Sequence, residues 1–354
     1  MQALVTTPGQ AESTQVADVA DARASDGEVL LRPWRVGVCG TDREIHEGQF
    51  GAAPEGEDRL ILGHELLARV DSAGHGFSAG DLVCATVRRS CGHCWACSED
   101  YPDACLTGDY TERGIERLHG FAAELVAEAP EHLVPVPKEL GELGVLGEPT
   151  SICARGIRHA RVIGGRQPWP RKRALVLGTG AIGMLSTMLL ALDDFEVWAA
   201  GRSPASDDRA RLATALGATY VSTKETPAAD VAGDVGGFDL VVEATGDAQV
   251  MADTLSLLGR NGVACLLGID GRPHEVTIDA QVLAVDAILQ NRAVFGSVNA
   301  HHEDWESAIE SLDRARRRWP DVLPQFIGLS VGVDDFAAAF EHRGVKAVMT
   351  FGDD

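Results

Sequence analysis

The feature that most constrains the fold is a glycine turn between an apolar strand-like run and a long apolar helix-like run. Residues 174–177 (Ala-Leu-Val-Leu) are followed directly by Gly178-Thr-Gly180-Ala-Ile-Gly183, and a long apolar stretch comes next. Strand-like and helix-like runs then alternate to about residue 268. This alternation predicts an α/β fold with a doubly wound parallel sheet.

The position of this turn, after a strand and at the start of a helix, predicts a dinucleotide site of the Rossmann type. Gly178 permits the tight turn, Gly180 lets the backbone approach a pyrophosphate, and Gly183 permits close helix packing. The helix N-terminus then faces the phosphates. The alternative is a glycine turn without a ligand. Residues expected to contact the cofactor at this turn are Gly178, Thr179, Gly180, Ala181, Ile182 and Gly183.

The end of the next predicted strand, where the adenosine ribose is read, carries Gly201-Arg202-Ser203. Sites that prefer NAD place an Asp or Glu here to accept from the ribose 2′-hydroxyl. The Arg202 guanidinium suits a 2′-phosphate instead, and Ser203 adds a hydroxyl donor. We therefore expect NADP to be preferred, with NAD as a second acceptor, and Thr245 to lie at the same sheet edge. A solvated surface arginine is the alternative interpretation of Arg202.

A cluster of four cysteines lies in one short segment, at Cys91, Cys94, Cys97 and Cys105. Four thiolates from one loop can close a tetrahedral zinc shell and leave no open position for chemistry. In a chain expected to be cytoplasmic, cysteines at such spacing favour metal binding over disulfides. We predict a structural zinc site, with a disulfide pair or an iron–sulfur cluster as the alternatives.

A second set of metal-ligand residues is dispersed along the chain and flanked by glycines. It comprises Cys39 with Thr41, the pair His64-Glu65, and Glu148. One thiolate, one imidazole and one or two carboxylates leave room for water or substrate, which is typical of a catalytic zinc site. Packed core residues and a surface acid are the alternatives when each residue is taken singly.

The order of strand-like and helix-like segments along the sequence predicts two domains. Short β-like runs continue to about residue 137, the pattern is helical from about 140 to 165, and β-like segments return near the C-terminus. We assign 1–152 and 300–354 to a β-rich catalytic domain, whose zinc lobe covers about 88–108. We assign 153–299 to the Rossmann nucleotide-binding domain.

The net charge of the chain limits the kinds of partner that it can bind. The formal net charge is -22, from 53 acidic and 31 basic residues, which argues against nucleic acid and anionic membranes as partners. No apolar stretch is long enough for a membrane helix, and we expect a soluble, cytoplasmic protein. Lysine occurs only at Lys138, Lys172, Lys224 and Lys346. This pattern favours a halophilic host, and a GC-rich genome is the alternative.

The motifs, taken in order, resemble the zinc-containing medium-chain dehydrogenase/reductases, and more closely the archaeal glucose 1-dehydrogenases with their haloarchaeal members. The segments that carry the resemblance are Gly37-Val-Cys39-Gly-Thr41-Asp42, Gly63-His64-Glu65, the four-cysteine lobe, Thr86-Val-Arg88-Arg89, Glu112-Arg113-Gly114-Ile115, His119-Gly120-Phe121, Leu146-Gly147-Glu148-Pro149, the glycine turn, and Gly296-Ser297-Val298-Asn299.

The resemblance implies a GroES-like catalytic domain interrupted by a Rossmann domain, and a homodimer or homotetramer. It implies oxidation of an aldose at C1, glucose to gluconolactone, with NADP as hydride acceptor. Catalytic zinc would lie among Cys39, His64, Glu65 and Glu148. Residues implied to contact the sugar are Thr41, Glu65, Glu112, Glu148 and Asn299, and Asn299 is also expected to contact the cofactor.

The chain departs from relatives at three positions. Val87 and Ile152 stand where some relatives carry Asn and Asp, and Glu44 stands where zinc alcohol dehydrogenases carry a relay histidine. The alternative functions are a zinc polyol, alcohol or threonine dehydrogenase and, in another class, a nucleotide-binding protein without chemistry. Glu112 and Asn299 favour a sugar substrate over the first alternative.

Overall fold

The computed structural model describes residues 1–169, 172–269 and 275–352. It contains two compact units. The first comprises Met1–Glu148, Asn299–Asp313 and Ile327–Asp354, and the second comprises Pro149–Val298 and Arg314–Phe326. These bounds differ from the expected domains at three places: Asn299 belongs to the first unit, and 149–152 and 314–326 cluster with the second. The side chains of Arg314 and Arg318 explain the latter, because they donate to the main-chain oxygens of Leu192 and Ala191.

Strands dominate the N-terminal part of the chain, as predicted, and alternate with helices beyond residue 170. In chain order they are β1 Gln2–Thr6, β2 Gln15–Asp18, β3 Val29–Val38, β4 Leu60–Ile61, β5 Glu65–Val70, β6 Leu82–Ala85, β7 Arg88–Arg89, β8 Thr111–Arg113, β9 Arg117–Leu118, β10 Val126–Glu128, β11 Leu133–Val136, β12 Arg173–Leu177, β13 Glu196–Gly201, β14 Thr219–Ser222, β15 Phe238–Glu243, β16 Leu258–Leu266, β17 Ala293–Gly296, β18 Ile327–Gly332 and β19 Lys346–Thr350.

The helices lie mainly in the second half of the chain. They are α1 Gly40–His46, α2 Trp95–Ser98, α3 Gly147–Gly164, α4 Ala181–Leu192, α5 Asp208–Ala215, α6 Ala228–Val235, α7 Ala248–Leu257, α8 Ala287–Leu289, α9 His302–Arg318 and α10 Phe336–Glu341. Short 3₁₀ turns lie at Pro102–Ala104, Pro130–His132, Lys138–Leu146, Leu323–Phe326 and Val333–Asp335, and a π-helical turn at Val282–Asp286 precedes α8.

The largest sheet of the first unit brings the two ends of the chain together. Its strand order is β11-β6-β5-β3-β19-β18, and β10 also pairs with β3. The C-terminal strand β19 runs antiparallel to β3, so the last segment returns to the first unit. Strand β3 also pairs with β5, with Gly37 opposite Glu65. This register places the residues after β3 beside the start of β5.

The second unit contains six parallel strands in the order β14-β13-β12-β15-β16-β17. Every residue of β15 is buried, as expected for a parallel strand covered on both faces. Apolar side chains from the sheet and the helices form its core, including Leu175, Trp198, Phe238 and Leu257. The doubly wound parallel sheet predicted from the alternating runs is confirmed.

Within the described residues, no helix has the length and apolar character needed to cross a membrane. The longest described helix, α3, carries Glu148, Arg155, Arg158 and Arg161 along its length.

Candidate active site

Cys39 and His64 meet at the edge of the sheet where β3 ends and β5 begins. Cys39 follows β3 directly and caps the N-terminus of α1. Its Sγ lies 3.1 Å from His64 Nε2, and it accepts a hydrogen bond from the Thr41 N–H at 3.2 Å. One ligand atom each from Cys39, His64 and Glu65 lies within 4.8 Å of the others. The structure therefore brings together three of the four residues expected around the catalytic metal.

The Asp42 carboxylate, for which the sequence analysis gave no role, supports both Cys39 and His64. It is buried, and its Oδ2 accepts from the Cys39 N–H at 2.9 Å. Its Oδ1 lies 3.5 Å from His64 Nδ1, the ring nitrogen that faces away from Cys39. A carboxylate behind a metal-binding imidazole fixes the ring orientation and raises its basicity. The signal for this role was the spacing of Asp42 three residues after the N-cap, typical of a reciprocal cap.

Glu65 has a buried partner from the far end of the chain. Lys346 Nζ lies 2.6 Å from both Glu65 carboxylate oxygens and donates to the Val38 main-chain oxygen at 3.2 Å. Both side chains are 1% exposed. A Cβ at Gly37 would lie 1.9 Å from Glu65 Oε2, so the carboxylate occupies the space that only glycine leaves free. No local sequence pattern could have revealed Lys346.

Glu148 begins α3 and is buried near the same group. Burial raises the pKa of its carboxyl to about 7, with His64 and Lys346 opposing that rise. Burial also disfavours a charged His64, but Cys39 and Asp42 beside the ring raise its pKa well above the usual range. Four acidic groups, namely the carboxyls of Asp42, Glu65 and Glu148 and the Cys39 thiol, outnumber the two basic groups, His64 and Lys346.

This surplus of acidic groups indicates whether a metal cation fits the cluster. Anionic groups that share a buried site hold protons until a cation neutralises them. The donors are a thiol, an imidazole and carboxylates, which are the ligand types of zinc. The residues present therefore fit a divalent zinc ion with an open coordination position.

The four-cysteine lobe is assembled from consecutive turns of one segment. The sulfurs of Cys91, Cys94, Cys97 and Cys105 all lie within 4.8 Å of one another, and none of the eight cysteines forms a disulfide in the described part of the chain. The Cys94 N–H donates to Cys91 Sγ and the Cys97 N–H donates to Cys94 Sγ. Main-chain donors of His93 and Cys94 lower the pKa of the Cys91 thiol to about 5. A hydrogen bond with the Thr107 side chain lowers the pKa of the Cys105 thiol as well, whereas burial raises the pKa of the Cys97 thiol to about 11. The two thiols with a lowered pKa favour the thiolate form that binds a metal.

The other residues expected to contact the sugar lie in the first unit. Thr41 is half-buried in the first turn of α1. Glu112 lies on β8, with its side chain 14% exposed, and pairs with Arg88 at 3.0 Å. Asn299 is buried with a left-handed backbone, and its Oδ1 accepts from the Ala300 N–H. Its Nδ2 has no hydrogen-bond partner among the described residues.

The glycine turn in the second unit has the backbone conformation that its sequence predicts. Gly178 has a φ of +106°, a value that disfavours residues with a side chain. A Cβ at Gly183 would lie 2.0 Å from the Gly178 main-chain oxygen, so helix α4 packs directly against the turn. Nothing described lies within 4 Å of a Cβ built on Gly180, which caps α4. The space beside Gly180 is open to a phosphate.

The residues after β13 include a second arginine that the sequence analysis did not select. Arg202 is exposed, and Arg209 Nη2 donates to Ser203 Oγ at 2.9 Å. Arg209 Nε lies 3.2 Å from Asp207 Oδ1, and this ion pair holds the guanidinium in place. The Tyr220 hydroxyl donates to the Ser203 main-chain oxygen. Arg209 therefore contacts the Ser203 side chain, and the exposed Arg202 precedes that serine in the chain. The signal was obscured because Arg209 does not follow Arg202 directly but lies on helix α5.

Thr245, at the end of β15, is tied to a buried carboxylate. Its N–H donates to Glu243 Oε1 at 2.6 Å, and its hydroxyl donates to the same oxygen. Glu243 is fully buried, and burial raises the pKa of its carboxyl. The arrangement holds Thr245 at the carboxyl edge of the parallel sheet, where ligands of such folds bind.

Comparison with known proteins matches both parts of the chain to described families. Residues 25–138 match the family described as the Alcohol dehydrogenase GroES-like domain, and residues 141–351 match the family described as Glucose dehydrogenase C-terminus. The chain is 42% identical to a glucose 1-dehydrogenase of Methanocella arvoryzae over 99% of this chain and 100% of that protein. It is 36% identical to a glucose 1-dehydrogenase of Haloarcula marismortui over 92% of each.

A solved structure shows the same fold over the whole chain. Haloferax mediterranei glucose dehydrogenase in complex with NADP, zinc and gluconolactone superposes with a TM-score of 0.92 at 32% identity, covering 100% of both chains. A Sinorhizobium meliloti structure bound to NADP, described as a putative zinc-binding dehydrogenase, shares the fold with a TM-score of 0.83 at 23% identity, covering 99% of this chain and 98% of that chain.

Proposed function

Because the chain belongs to the glucose dehydrogenase family of the medium-chain dehydrogenases, we propose that it oxidises an aldose at C1 with NADP as hydride acceptor, and that glucose is oxidised to gluconolactone. The observation that carries the proposal is the cluster of half-buried Cys39 with buried His64 and Glu65. Relatives named glucose 1-dehydrogenase, and a related structure holding NADP, zinc and gluconolactone, support it.

We propose that Cys39, His64, Glu65 and Glu148 hold the catalytic zinc and that the four lobe cysteines hold a structural zinc. Zinc in the first site supplies a Lewis acid that lowers the pKa of the C1 hydroxyl. Asp42 orients Cys39 and His64 through the two contacts described above. Lys346 contacts both oxygens of Glu65 and restrains that carboxylate. Either Glu65 or Glu148 is proposed to exchange with water at the metal.

Thr41 is the proposed proton carrier. It is half-buried, and its N–H bond to Cys39 Sγ fixes its place beside the cluster. A hydroxyl can accept the C1 hydroxyl proton while it donates its own, which moves the proton away from the sugar. Glu44 occupies the position of the relay histidine found in related alcohol dehydrogenases, so no histidine carries the proton at that position.

The proposed sugar contacts supply the hydrogen-bonding groups that a polyhydroxylated substrate needs. Glu112 and Glu148 offer carboxylate acceptors, and Asn299 offers the buried Nδ2 that lacks a partner among the described residues. The proposed set is Thr41, Glu65, Glu112, Glu148 and Asn299. Val87 is 4% exposed and belongs to the core.

The second unit, Pro149–Val298 with Arg314–Phe326, is proposed to bind NADP, and the first unit is the proposed catalytic domain. Arg202, Ser203 and Arg209 give the 2′-phosphate two guanidinium groups and a hydroxyl. Arg202→Ala should weaken NADP far more than NAD, and the two KM values report it. Equal weakening of both nucleotides would refute the 2′-phosphate role.

We also propose a halophilic, cytoplasmic protein that forms a homodimer or homotetramer. The net charge of -22 and the scarcity of lysine support an acidic, salt-adapted surface. Exposed apolar side chains cluster around the edge strand β17, which supports self-association there. Those on β17 and the helical turns before it are Leu283, Val285, Ile288, Leu289 and Val294.

The experiment that tests the function is NADP reduction across aldoses, polyols, threonine and simple alcohols, at low and high salt, before and after chelation. We expect glucose or another aldose to give the highest kcat/KM, activity to require zinc, and salt to increase it. Highest turnover with a polyol or simple alcohol would refute the aldose assignment. Absence of turnover with every substrate, zinc and salt supplied, would favour a nucleotide-binding protein without chemistry.

A further inference from the structure

Arg88 lies between the proposed sugar-binding carboxylate Glu112 and the four-cysteine lobe. It is on β7, directly opposite Glu112 on β8 in the antiparallel register. Its Nε donates to Glu112 Oε1 at 3.0 Å, and the Arg88 residue is 8% exposed. The carboxylate therefore has a fixed, largely buried cationic partner.

The same guanidinium also contacts the lobe. Arg88 Nη1 donates to the Asp103 main-chain oxygen at 3.0 Å. Asp103 is buried in the Pro102–Ala104 turn, two residues before Cys105. The position of this carbonyl depends on the fold of the lobe, because a segment so short has no apolar core of its own and relies on its metal for order.

A third contact fixes the plane of the guanidinium. The Arg88 Cζ lies 3.8 Å from the centroid of the Tyr110 ring, in the segment that leads into β8. A planar, forked cation can make all three contacts at once, whereas the single ammonium of lysine cannot. The described hydrogen bonds of the Glu112 side chain use only Oε1. Its Oε2 is left for a ligand.

We propose that Arg88 is a positioning residue for sugar binding, which holds the Glu112 carboxylate in the orientation that accepts a sugar hydroxyl and links that orientation to the metal-loaded lobe through Asp103. The inference rests on the proposed function, since it takes Glu112 as a sugar contact. It gives the four-cysteine lobe a role in substrate affinity in addition to its role in stability.

The test compares Arg88→Met, Arg88→Lys and a matched control, Arg89→Met. Arg89 is the adjacent arginine, is also largely buried, and pairs with Glu128 instead of Glu112. The zinc-loaded proteins are assayed for kcat, for KM of glucose and of NADP, and for the affinity of gluconolactone in the presence of NADPH by calorimetry. Bound zinc is measured on the same samples.

Arg88→Met should raise KM for glucose and Kd for the lactone about tenfold, the effect of one charge-assisted hydrogen bond. The kcat and the KM for NADP should stay within about twofold, since Arg88 does not touch the reacting atoms. Arg88→Lys should give an intermediate KM, and Arg89→Met should leave KM for glucose unchanged. Equal KM increases in Arg88→Met and Arg89→Met would overturn the proposal.

A double-mutant cycle combines the Arg88 variant with Glu112→Gln. If Arg88→Met folds poorly, Arg88→Lys takes its place in the cycle, so the proposal stays testable. If Arg88 acts through Glu112, the double variant should be no weaker in glucose affinity than Glu112→Gln alone. Additive losses would overturn the proposal.

Cys94→Ala, which removes one lobe thiol, should raise KM for glucose in the wild-type background but not in the Arg88→Met background. An unchanged KM in the wild-type background would overturn the link to the lobe.

The outcome separates this inference from the proposed function. A wild-type protein that binds NADPH but neither turns over glucose nor binds the lactone would refute the function. A wild-type protein that oxidises glucose, with an unchanged KM in Arg88→Met, would refute only the role of Arg88.

Discussion

The two cysteine-containing clusters of the first unit differ in how the chain assembles them. The lobe takes all its thiols from residues 91–105, and its own main-chain N–H groups donate to them. The other cluster combines β3, β5 and α3 with Lys346, which is 281 residues from Glu65. A local, four-sulfur cluster suits a closed structural site, whereas a dispersed, buried cluster of mixed donors suits an open catalytic one. The number and type of ligands therefore decide whether a zinc site is structural or catalytic.

The largest expected effect is local disorder of the lobe. Cys94→Ala removes a thiol from a segment whose order depends on metal binding, a contribution on the order of 10 kcal/mol. We expect rapid protease cleavage within 91–105 and the loss of one zinc per chain. The kcat at saturating glucose should stay within a few-fold of wild type.

Ser98→Ala is the control for this lobe variant, because it changes an exposed lobe residue and keeps all four thiols. If Cys94→Ala were as resistant to protease as Ser98→Ala, the lobe would not depend on a metal.

The next effect is on turnover. Cys39→Ala removes the thiol of the open cluster and should lower kcat by at least about a thousandfold, because the Lewis acid is lost. NADPH affinity, measured by fluorescence titration, should not change, since the nucleotide turn is in the second unit. Cys265→Ala, at a buried cysteine outside both clusters, should keep its zinc and its kcat. Wild-type kcat in Cys39→Ala would contradict the assignment of the open site.

Sequence alone predicted what is local and missed what is distant. The glycine turn, the four-cysteine lobe and the Cys39 and His64 motifs are short patterns whose spacing implies their chemistry, and the alternating runs predicted the parallel sheet. Lys346 and Arg209 could not be found in this way, since each acts on a residue in another element. Asp42 lay inside a recognised motif, but its bond to Cys39 depends on the cap of α1.

A smaller effect is expected on folding stability. Lys346→Met leaves the Glu65 carboxylate buried without its cation, and breaking a buried pair in this way costs about 3–5 kcal/mol. Urea unfolding of the metal-free protein should show this loss, and the double variant Lys346→Met/Glu65→Gln should recover part of it. Lys138→Met, at an exposed lysine of the same unit, should change stability by less than about 0.5 kcal/mol. Equal stability of the two single variants would show that Lys346 does not stabilise the cluster.

The smallest expected effect is on metal affinity. Asp42→Asn keeps the size of the side chain but removes the charge behind His64, and outer partners of this kind typically contribute 10- to about 100-fold in zinc affinity. Competition with a chromophoric chelator measures the change. Only the open cluster should be affected, and an equal loss from the four-cysteine lobe would indicate general unfolding instead.

Stepwise chelation of the wild-type protein tests most directly the claim that the dispersed cluster is the site of glucose oxidation. Zinc content and glucose-dependent NADPH formation are followed on the same samples. The open site should lose its metal first, so we predict that activity falls to zero with the first zinc equivalent while the second stays bound, and that it returns when one equivalent is added back. Full activity after loss of the first equivalent would contradict the account.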